Sequence, residues 1–229
     1  EQDGGIHICL SEKEFADRKA QLEILYSHQN GKFKYEMLDR KALLDIQTGL
    51  GPDVVGGSWC PHDGHVNPLY LLRSLHNCFL KRNGQLLYDA EVFDINHGEG
   101  VFDVFSRKGQ FQAPCLVLTA GLGNRKLAPL IGLKQPVGPQ RGQILVTQKI
   151  DRLIDVPMTL LRQTAEGSVM IGDSKEEVGF DTSSSIDIMA QIADRARRTL
   201  PVLEKQQIIR SWAALRVMSP DGYPMYDQS

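Results

Sequence analysis

Arg216 closes a short apolar run, Trp212-Ala213-Ala214-Leu215, and turn chemistry follows at once in Pro220, Asp221, Gly222 and Pro224. An arginine delivered by an apolar strand is costly to bury unless an anion meets it. Its planar fork suits a carboxylate held by two hydrogen bonds. Two readings follow: a structural ion pair with an internal Asp or Glu, or an anchor for an acidic ligand. His65, in Asp63-Gly64-His65-Val66-Asn67-Pro68, is either a general base or a turn residue bonded to Asp63 or the backbone. Cys9, Cys60, Cys78 and Cys115 lie far apart with no C-x-x-C pair, which predicts buried free thiols in a reduced compartment rather than a zinc site. Cys60 has no adjacent Lys, Arg or helix start to activate it.

The apolar pattern supplies a scaffold for these residues. Ile6–Leu10 reads as a strand, and Ser11-x-x-Glu14 as a capping-box start for a helix that carries Phe15, Leu22 and Leu25 on one side and stops at Gly31. Tyr35–Leu38 leads to a second cap at Asp39, and a short helix with Leu43, Leu44 and Ile46 ends in the punctuation of Gly49–Pro52. Asn67 as cap and Pro68 as first helical residue predict a helix to about Lys81 with Leu69, Leu72, Leu75 and Phe79 facing inward. Strand signals follow at Leu86–Tyr88, Val92–Ile95 and Val101–Ser106, with a hairpin at His97–Gly100.

Cys115–Thr119 is a continuous apolar run, the mark of a strand buried on both faces. It ends in the small residues Ala120-Gly121-Leu122-Gly123, at the kind of carboxyl edge where open α/β sheets bind ligands. Beyond Pro139 the runs Gln143–Gln148, Met158–Arg162 and Ser168–Gly172 alternate as an antiparallel sheet does. A serine-capped helix over about Ser185–Thr199 carries Ile186, Met189, Ile192 and Ala196 on one face; Pro201 stops it, and Ile208–Ser211 leads back to the arginine stretch. Trp59 and Trp212 are expected in the core.

Composition narrows the function classes. Hydrophobic residues are 41% and charged residues 24% of the 229, which is ordinary for a globular chain large enough to bury a core. A formal net charge of −2 leaves no electrostatic footprint for nucleic acid. No apolar run approaches the ~18 residues of a membrane span, and no signal peptide is visible. Glu1 stands without a start methionine and Ser229 follows directly on a turn, so the sequence reads as an interior piece of a longer chain.

The stretch W-x-x-L-R-x-x-[ST]-P-D-G-x-P, here Trp212 to Pro224, resembles the C-terminal signature of the D-amino-acid-oxidase-like flavoproteins. That family includes glycine oxidase, sarcosine oxidase, D-amino-acid dehydrogenase and the flavin subunits of hydrogen cyanide synthase and opine dehydrogenases. Asp63–Pro68 is similar to the segment that begins a helix of the family's flavin domain, and Thr119-Ala120-Gly121 to the turn that passes near the flavin and its diphosphate. Pro136 to Gln143 resembles the P-x-x-P-x-R-G-Q crossover into the substrate domain. Gly167–Ser174 and Gly179–Asp181 fall at the family's places and in its order. Singly each motif is weak; together, in order, they cover nearly the whole chain from Gly56 onward and more loosely the part before it.

The resemblance implies an α+β / α/β fold: a partial FAD-binding Rossmann-like lobe interleaved with a substrate domain of mixed or antiparallel sheet plus helices. Residues 1–55 would be a substrate-domain segment, 56–133 the partial FAD-binding lobe, 134–215 the substrate domain and 216–229 the return to the FAD-binding lobe. It further implies oxidation of the C–N bond of a small amino acid (glycine, a D-amino acid or an opine) by hydride transfer from the α-carbon to flavin. The alternatives are a sarcosine-type demethylation and a non-catalytic flavin-fold subunit of a heteromer. Arg216 is then the catalytic and carboxylate-binding residue, and Arg162 a second substrate-binding residue or a member of an exposed salt bridge. Thr119, Ala120, Gly121, Arg141, Asp221 and Gly222 are the implied cofactor-binding residues, with a structural role between domains as the alternative for Arg141. Partner subunits of a heteromeric dehydrogenase are implied too, with a cytoplasmic location, or a peripheral one at the inner membrane through those subunits. The G-x-G-x-x-G loop that would hold the diphosphate does not occur in this sequence, nor does the family's later glycine-rich strand. No tyrosine stands near Thr159–Arg162, where some relatives place one. FAD is therefore expected in a longer parent rather than on this chain alone.

Overall fold

The computed structural model describes residues 4–228. β1 (Gly5–Cys9) leads to α1 (Glu12–His28), which Ser11 opens by accepting the Glu14 amide at 3.2 Å. The capping box is not reciprocal: the Glu14 carboxylate accepts the Leu10 amide at 2.8 Å and the Arg195 guanidinium at 2.8 Å. β2 (Glu36–Asp39) ends at the Asp39 cap of α2 (Arg40–Ile46), where the carboxylate accepts the Ala42 amide at 2.8 Å. β3 (Gly56–Cys60) then lies between β1 and β2 in an antiparallel sheet. Its Gly-Gly start is dictated by that central place, because a Cβ on Gly57 would stand 2.2 Å from the His7 carbonyl oxygen.

Asn67 opens α3 (Pro68–Lys81) through the Leu69 and Tyr70 amides. A meander follows, β4 (Val92–Gly98), β5 (Val101–Ser106) and β6 (Gly109–Ala113), then the single turn α4 (Asn124–Leu127). β7 (Gly138–Lys149), β8 (Leu161–Gln163), β9 (Ser168–Gly172), α5 (Ile186–Thr199) and β10 (Ile208–Met218) complete the chain, with β10-β7-β9-β8 as the strand order of the third sheet. Helices with antiparallel pairing are the expected class. Among the described residues no helix is long and apolar enough to cross a membrane.

The chain divides into two compact units, each drawn from separate stretches. The first comprises Glu1–Leu71, Gly142–Ser174 and Ser183–Ala214 and holds a dense core. Ile6 and Ile8 of β1, Leu43 of α2, Leu145 of β7, Ile171 of β9 and Ile192 of α5 are all buried in it. A parallel bridge ties β1 to the start of the β8 hairpin: the Ile6 amide donates to the Pro157 carbonyl and the Thr159 amide to the Ile6 carbonyl, each at 2.9 Å. The second unit comprises Leu72–Arg141, Lys175–Thr182 and Leu215–Ser229. Its buried apolar side chains, among the described residues, are Ile95, Ala128 and Val137.

Several expectations are corrected, most of them in that second unit. The stripe of α3 forms its helix but faces outward: Leu69, Leu72, Leu75 and Phe79 are all exposed. Cys115–Thr119 and Leu86–Tyr88 are not strands, because an apolar run becomes a strand only where a neighbour supplies ladder hydrogen bonds, and no described segment does so here. Cys78 and Cys115 are exposed; Cys9 and Cys60 are buried as expected, and all four thiols are free. β6 carries no apolar alternation and was not expected, its pairing with β5 being what forms it. The run Trp212–Leu215 is a strand but is not buried, and Ile186 at the start of α5 is exposed. The strand expected over Met158–Arg162 is confined to Leu161–Gln163.

Glu14 and Arg195 join α1 to α5 across the first unit. The Arg195 guanidinium, aided by the Leu10 amide, draws the Glu14 carboxyl from its ordinary 4.5 down to about 2. A folded-state value below the unfolded one means stability that is full above about pH 4.5 and is lost as pH falls toward 2. The side chains are 33% and 37% exposed, so solvent screening limits the pair to about 1–2 kcal/mol. Denaturant unfolding should therefore show Glu14→Gln less stable by about that amount at pH 7, with the deficit closing as both proteins are taken to pH 2.

Candidate functional site

Arg216 stands half-buried in β10, and its Nη1 donates to the Arg141 carbonyl oxygen at 3.4 Å. The position of that carbonyl is set by Arg141 itself, near the start of β7. Its amide donates to the Glu176 carbonyl at 2.9 Å and its carbonyl accepts the Glu176 amide at 3.0 Å. Its guanidinium, 7% exposed, places Nη2 at 2.7 Å from Glu176 Oε2 and Nη1 at 2.5 Å from Asp181 Oδ2. The two carboxylates, Glu176 foremost, raise the Arg141 pKa further above its ordinary value. The fork of Arg141 is thus spent on carboxylates of this chain. Sequence reasoning missed Glu176; an acidic residue a few positions after Gly172-Asp173-Ser174 was its only signal.

The same unit holds the turn Thr119-Ala120-Gly121. Thr119 and Ala120 are exposed. Asn124 closes the turn by accepting the Ala120 amide at 3.1 Å and donating to the Leu118 carbonyl at 3.3 Å. Gly121 has φ +57°, and a Cβ there would lie 3.3 Å from Val217 Cγ2. The turn therefore packs on the β10 residue next to Arg216. Asp221 and Gly222 form their own closed turn: the Asp221 carboxylate accepts the Tyr223 amide at 3.0 Å and the Ser219 hydroxyl at 3.0 Å, with Gly222 at φ +77°. The Tyr223 amide, then the Ser219 hydroxyl, lower the Asp221 pKa. Arg216, Arg141, Thr119, Ala120, Gly121, Asp221 and Gly222 all belong to the second unit.

Arg162 belongs to the first unit, where with His65 it lines a cleft of 710 Å³. That volume is within the range of small-molecule sites. One wall is the loop 150–155, clamped by two glutamine amides. Gln163 accepts the Leu153 amide at 2.7 Å and donates to the Asp151 carbonyl at 3.0 Å. Gln47, wholly buried, donates to the Leu153 carbonyl at 2.9 Å and accepts the Asp155 amide at 3.2 Å. The opposite wall is the Asn67-capped start of α3, with Val66 and Tyr70. Sequence reasoning missed Tyr70, Gln163 and Glu166, for which no motif existed. A second hollow of 560 Å³ is lined by Asp53, Arg198, Asp194 and Arg197, which pair with one another.

Residues 1–229 match the family of FAD-dependent oxidoreductases designated DAO. An opine oxidase subunit from Agrobacterium tumefaciens (strain Ach5) is 38% identical over 230 residues, covering 100% of this chain and 62% of its own length. Hydrogen cyanide synthase subunit HcnC of Pseudomonas aeruginosa is 32% identical over 195 residues, 82% of this chain and 47% of that protein. The crystal structure of glycine oxidase from Geobacillus kaustophilus superposes with a TM-score of 0.87 at 21% identity, over 98% of this chain and 61% of that one. The chain thus spans less than two thirds of the length of each of these relatives.

Arg141 can be probed without any ligand. Arg141→Met strips Glu176 of its cation while leaving it 10% exposed, and breaks the contact to Asp181. Arg198→Met breaks a pair with Asp53 that is 39% and 45% exposed. Thermal unfolding should show a clearly larger fall in Tm for Arg141→Met than for Arg198→Met; equal falls would mean that the Arg141 cluster adds no more than a surface pair.

Proposed function

We propose that this chain, which belongs to the DAO family of FAD-dependent oxidoreductases, carries the carboxylate anchor and part of the flavin-facing surface of an enzyme that oxidises the C–N bond of a small amino acid. Glycine-like and opine substrates fit best, given the names of the relatives. The observation that carries the reading is the packing of Gly121 on Val217, which sets the Thr119–Gly121 turn against the strand that delivers Arg216. The residues present fit a flavin in part: the turn is exposed, its glycine is in the left-handed region, and Asp221-Gly222 offers a second tight turn nearby in sequence to the arginine. The glycine-rich diphosphate loop is not among the 229 residues, so the fit concerns the flavin end of the cofactor.

Bound FAD would supply the two-electron sink for the substrate's α-C–H bond. What the protein's own groups do is simpler. Arg216 presents a planar fork for a carboxylate, so two hydrogen bonds fix both the position and the rotation of the substrate. Arg141, held by Glu176 and Asp181, keeps the carbonyl that steadies Arg216 in place. Hydride loss from a neutral amine requires no general acid–base pair of the chain, and a site closed to water would favour that neutral form.

Relatives named as subunits support assembly with partner polypeptides. Four free thiols fit a reducing, cytoplasmic setting.

The experiment is a visible spectrum of the longer parent protein that contains this chain, freed of unbound flavin after incubation with FAD, followed by anaerobic addition of glycine, a D-amino acid or an opine. Flavin absorbance that bleaches with one of them is expected. Arg216→Met should keep the flavin spectrum and raise KM about 10–100-fold, the value of a charge-assisted carboxylate pair. A protein that stays colourless, or a variant whose KM matches the parent, sinks the reading in favour of a structural arginine in a non-catalytic subunit.

A further inference from the structure

The cleft of the first unit holds a cation that the fold does not use. Arg162 Nη1 meets only the Val66 carbonyl at 3.4 Å, and Nη2 only the thioether of Met170. Among the described residues no carboxylate lies within ion-pair distance of it. Half-burial of a guanidinium on a long carbonyl contact and a soft sulfur is poor compensation, and it leaves most of its five N–H donors for a ligand. Arg152 pairs with Asp155 at 3.4 Å, and Glu166 accepts the Tyr70 hydroxyl at 3.5 Å. Ile154 and Pro157 add apolar wall.

We propose that this cleft is a carboxylate-binding site for an amino-acid-like zwitterion, with Arg162 as the anchor. The Arg162 fork takes the carboxylate, the aliphatic part lies on Ile154 and Pro157, and the Tyr70-held carboxylate of Glu166 faces a cationic group. That second sign of charge excludes simple polyanions. The glutamine clamps at Gln47 and Gln163 explain why the wall is preformed rather than dependent on the ligand. The carboxylate is either the second one of an opine-type substrate, in which case the inference rests on the oxidoreductase reading, or that of a separate amino acid.

The test uses N-(2-carboxyethyl)alanine and N-propylalanine, which differ in one carboxylate at matched size. Arg162→Met is expected to weaken N-(2-carboxyethyl)alanine about 10–100-fold and N-propylalanine less than about twofold, as loss of a single charged hydrogen-bonded partner predicts. Two readouts are taken: KM and kcat of the FAD-loaded longer parent, and calorimetric titration of the flavin-free protein. A KM that rises with kcat unchanged assigns the site to the substrate's second carboxylate. Weaker calorimetric binding with KM unmoved assigns it to a separate amino acid. If neither ligand reduces the flavin, the oxidoreductase reading fails, and the titration still decides the cleft. Should Arg162→Met not fold, Arg162→Lys, which keeps the charge and loses the fork, is expected to weaken the dicarboxylate several-fold. Equal affinity of parent and variant for N-(2-carboxyethyl)alanine in both readouts overturns the proposal.

Discussion

The second unit depends on one buried charge. Arg141 is 7% exposed, and Glu176 and Asp181 close on a guanidinium that would be costly so placed without anions beside it. Those residues sit in Lys175–Thr182, a stretch far along the chain from the start of β7, so the ion pairs stitch two separate stretches into one unit. The backbone pairing of Arg141 with Glu176 fixes the same carbonyl to which Arg216 donates. The arginine of greatest functional interest thus makes one of its contacts with the arginine of greatest structural cost. A short segment of ordinary composition becomes indispensable through charge rather than through packing.

That arrangement matters because apolar packing gives the second unit little else. The first unit buries isoleucines, leucines and valines from β1, α2, β7, β9 and α5 in a continuous core, whereas the second, among the described residues, buries Ile95, Ala128 and Val137. Leu72, Leu75 and Phe79 have helical spacing and the right residue types for a core, yet all three are exposed. A solvated stripe of this kind forgoes about 1.5–3 kcal/mol for each large side chain it leaves unburied. Residues of these types at α3, and Val117 at 75% exposed, suit a surface that further polypeptide covers.

Sequence pattern revealed local structure well and environment poorly. Ser11, Asp39 and Asn67 each capped the helix their position announced, because a cap is decided within four residues. β9 and α5 were equally legible, their alternation and helical spacing being local properties too. Cys115–Thr119 failed for the opposite reason: a strand needs a neighbour, and no pattern inside five residues states whether one is present. Arg216 was legible as a cation needing an anion, but its contact with the Arg141 carbonyl was not, since that depends on register between distant stretches. The cleft around Arg162 was least legible of all. Its wall is held by Gln47 and Gln163, and amides that clamp a loop leave no periodic mark.

Arg216 and Arg162 are both half-buried and each meets one backbone carbonyl at 3.4 Å, so what sets them apart is what stands behind that carbonyl. The carbonyl that meets Arg216 belongs to Arg141, whose backbone pairs with Glu176 and whose guanidinium is closed by Glu176 and Asp181. The one that meets Arg162 belongs to Val66, on a cleft whose loop wall is clamped by Gln47 and Gln163. A group at a reacting centre must be placed closely, because a misplacement of about 1 Å there costs about 100-fold in rate. On the reading proposed, chemistry is assigned to the unit fixed by buried charge, and selectivity to the unit whose apolar core and glutamine clamps preform a cleft around Arg162.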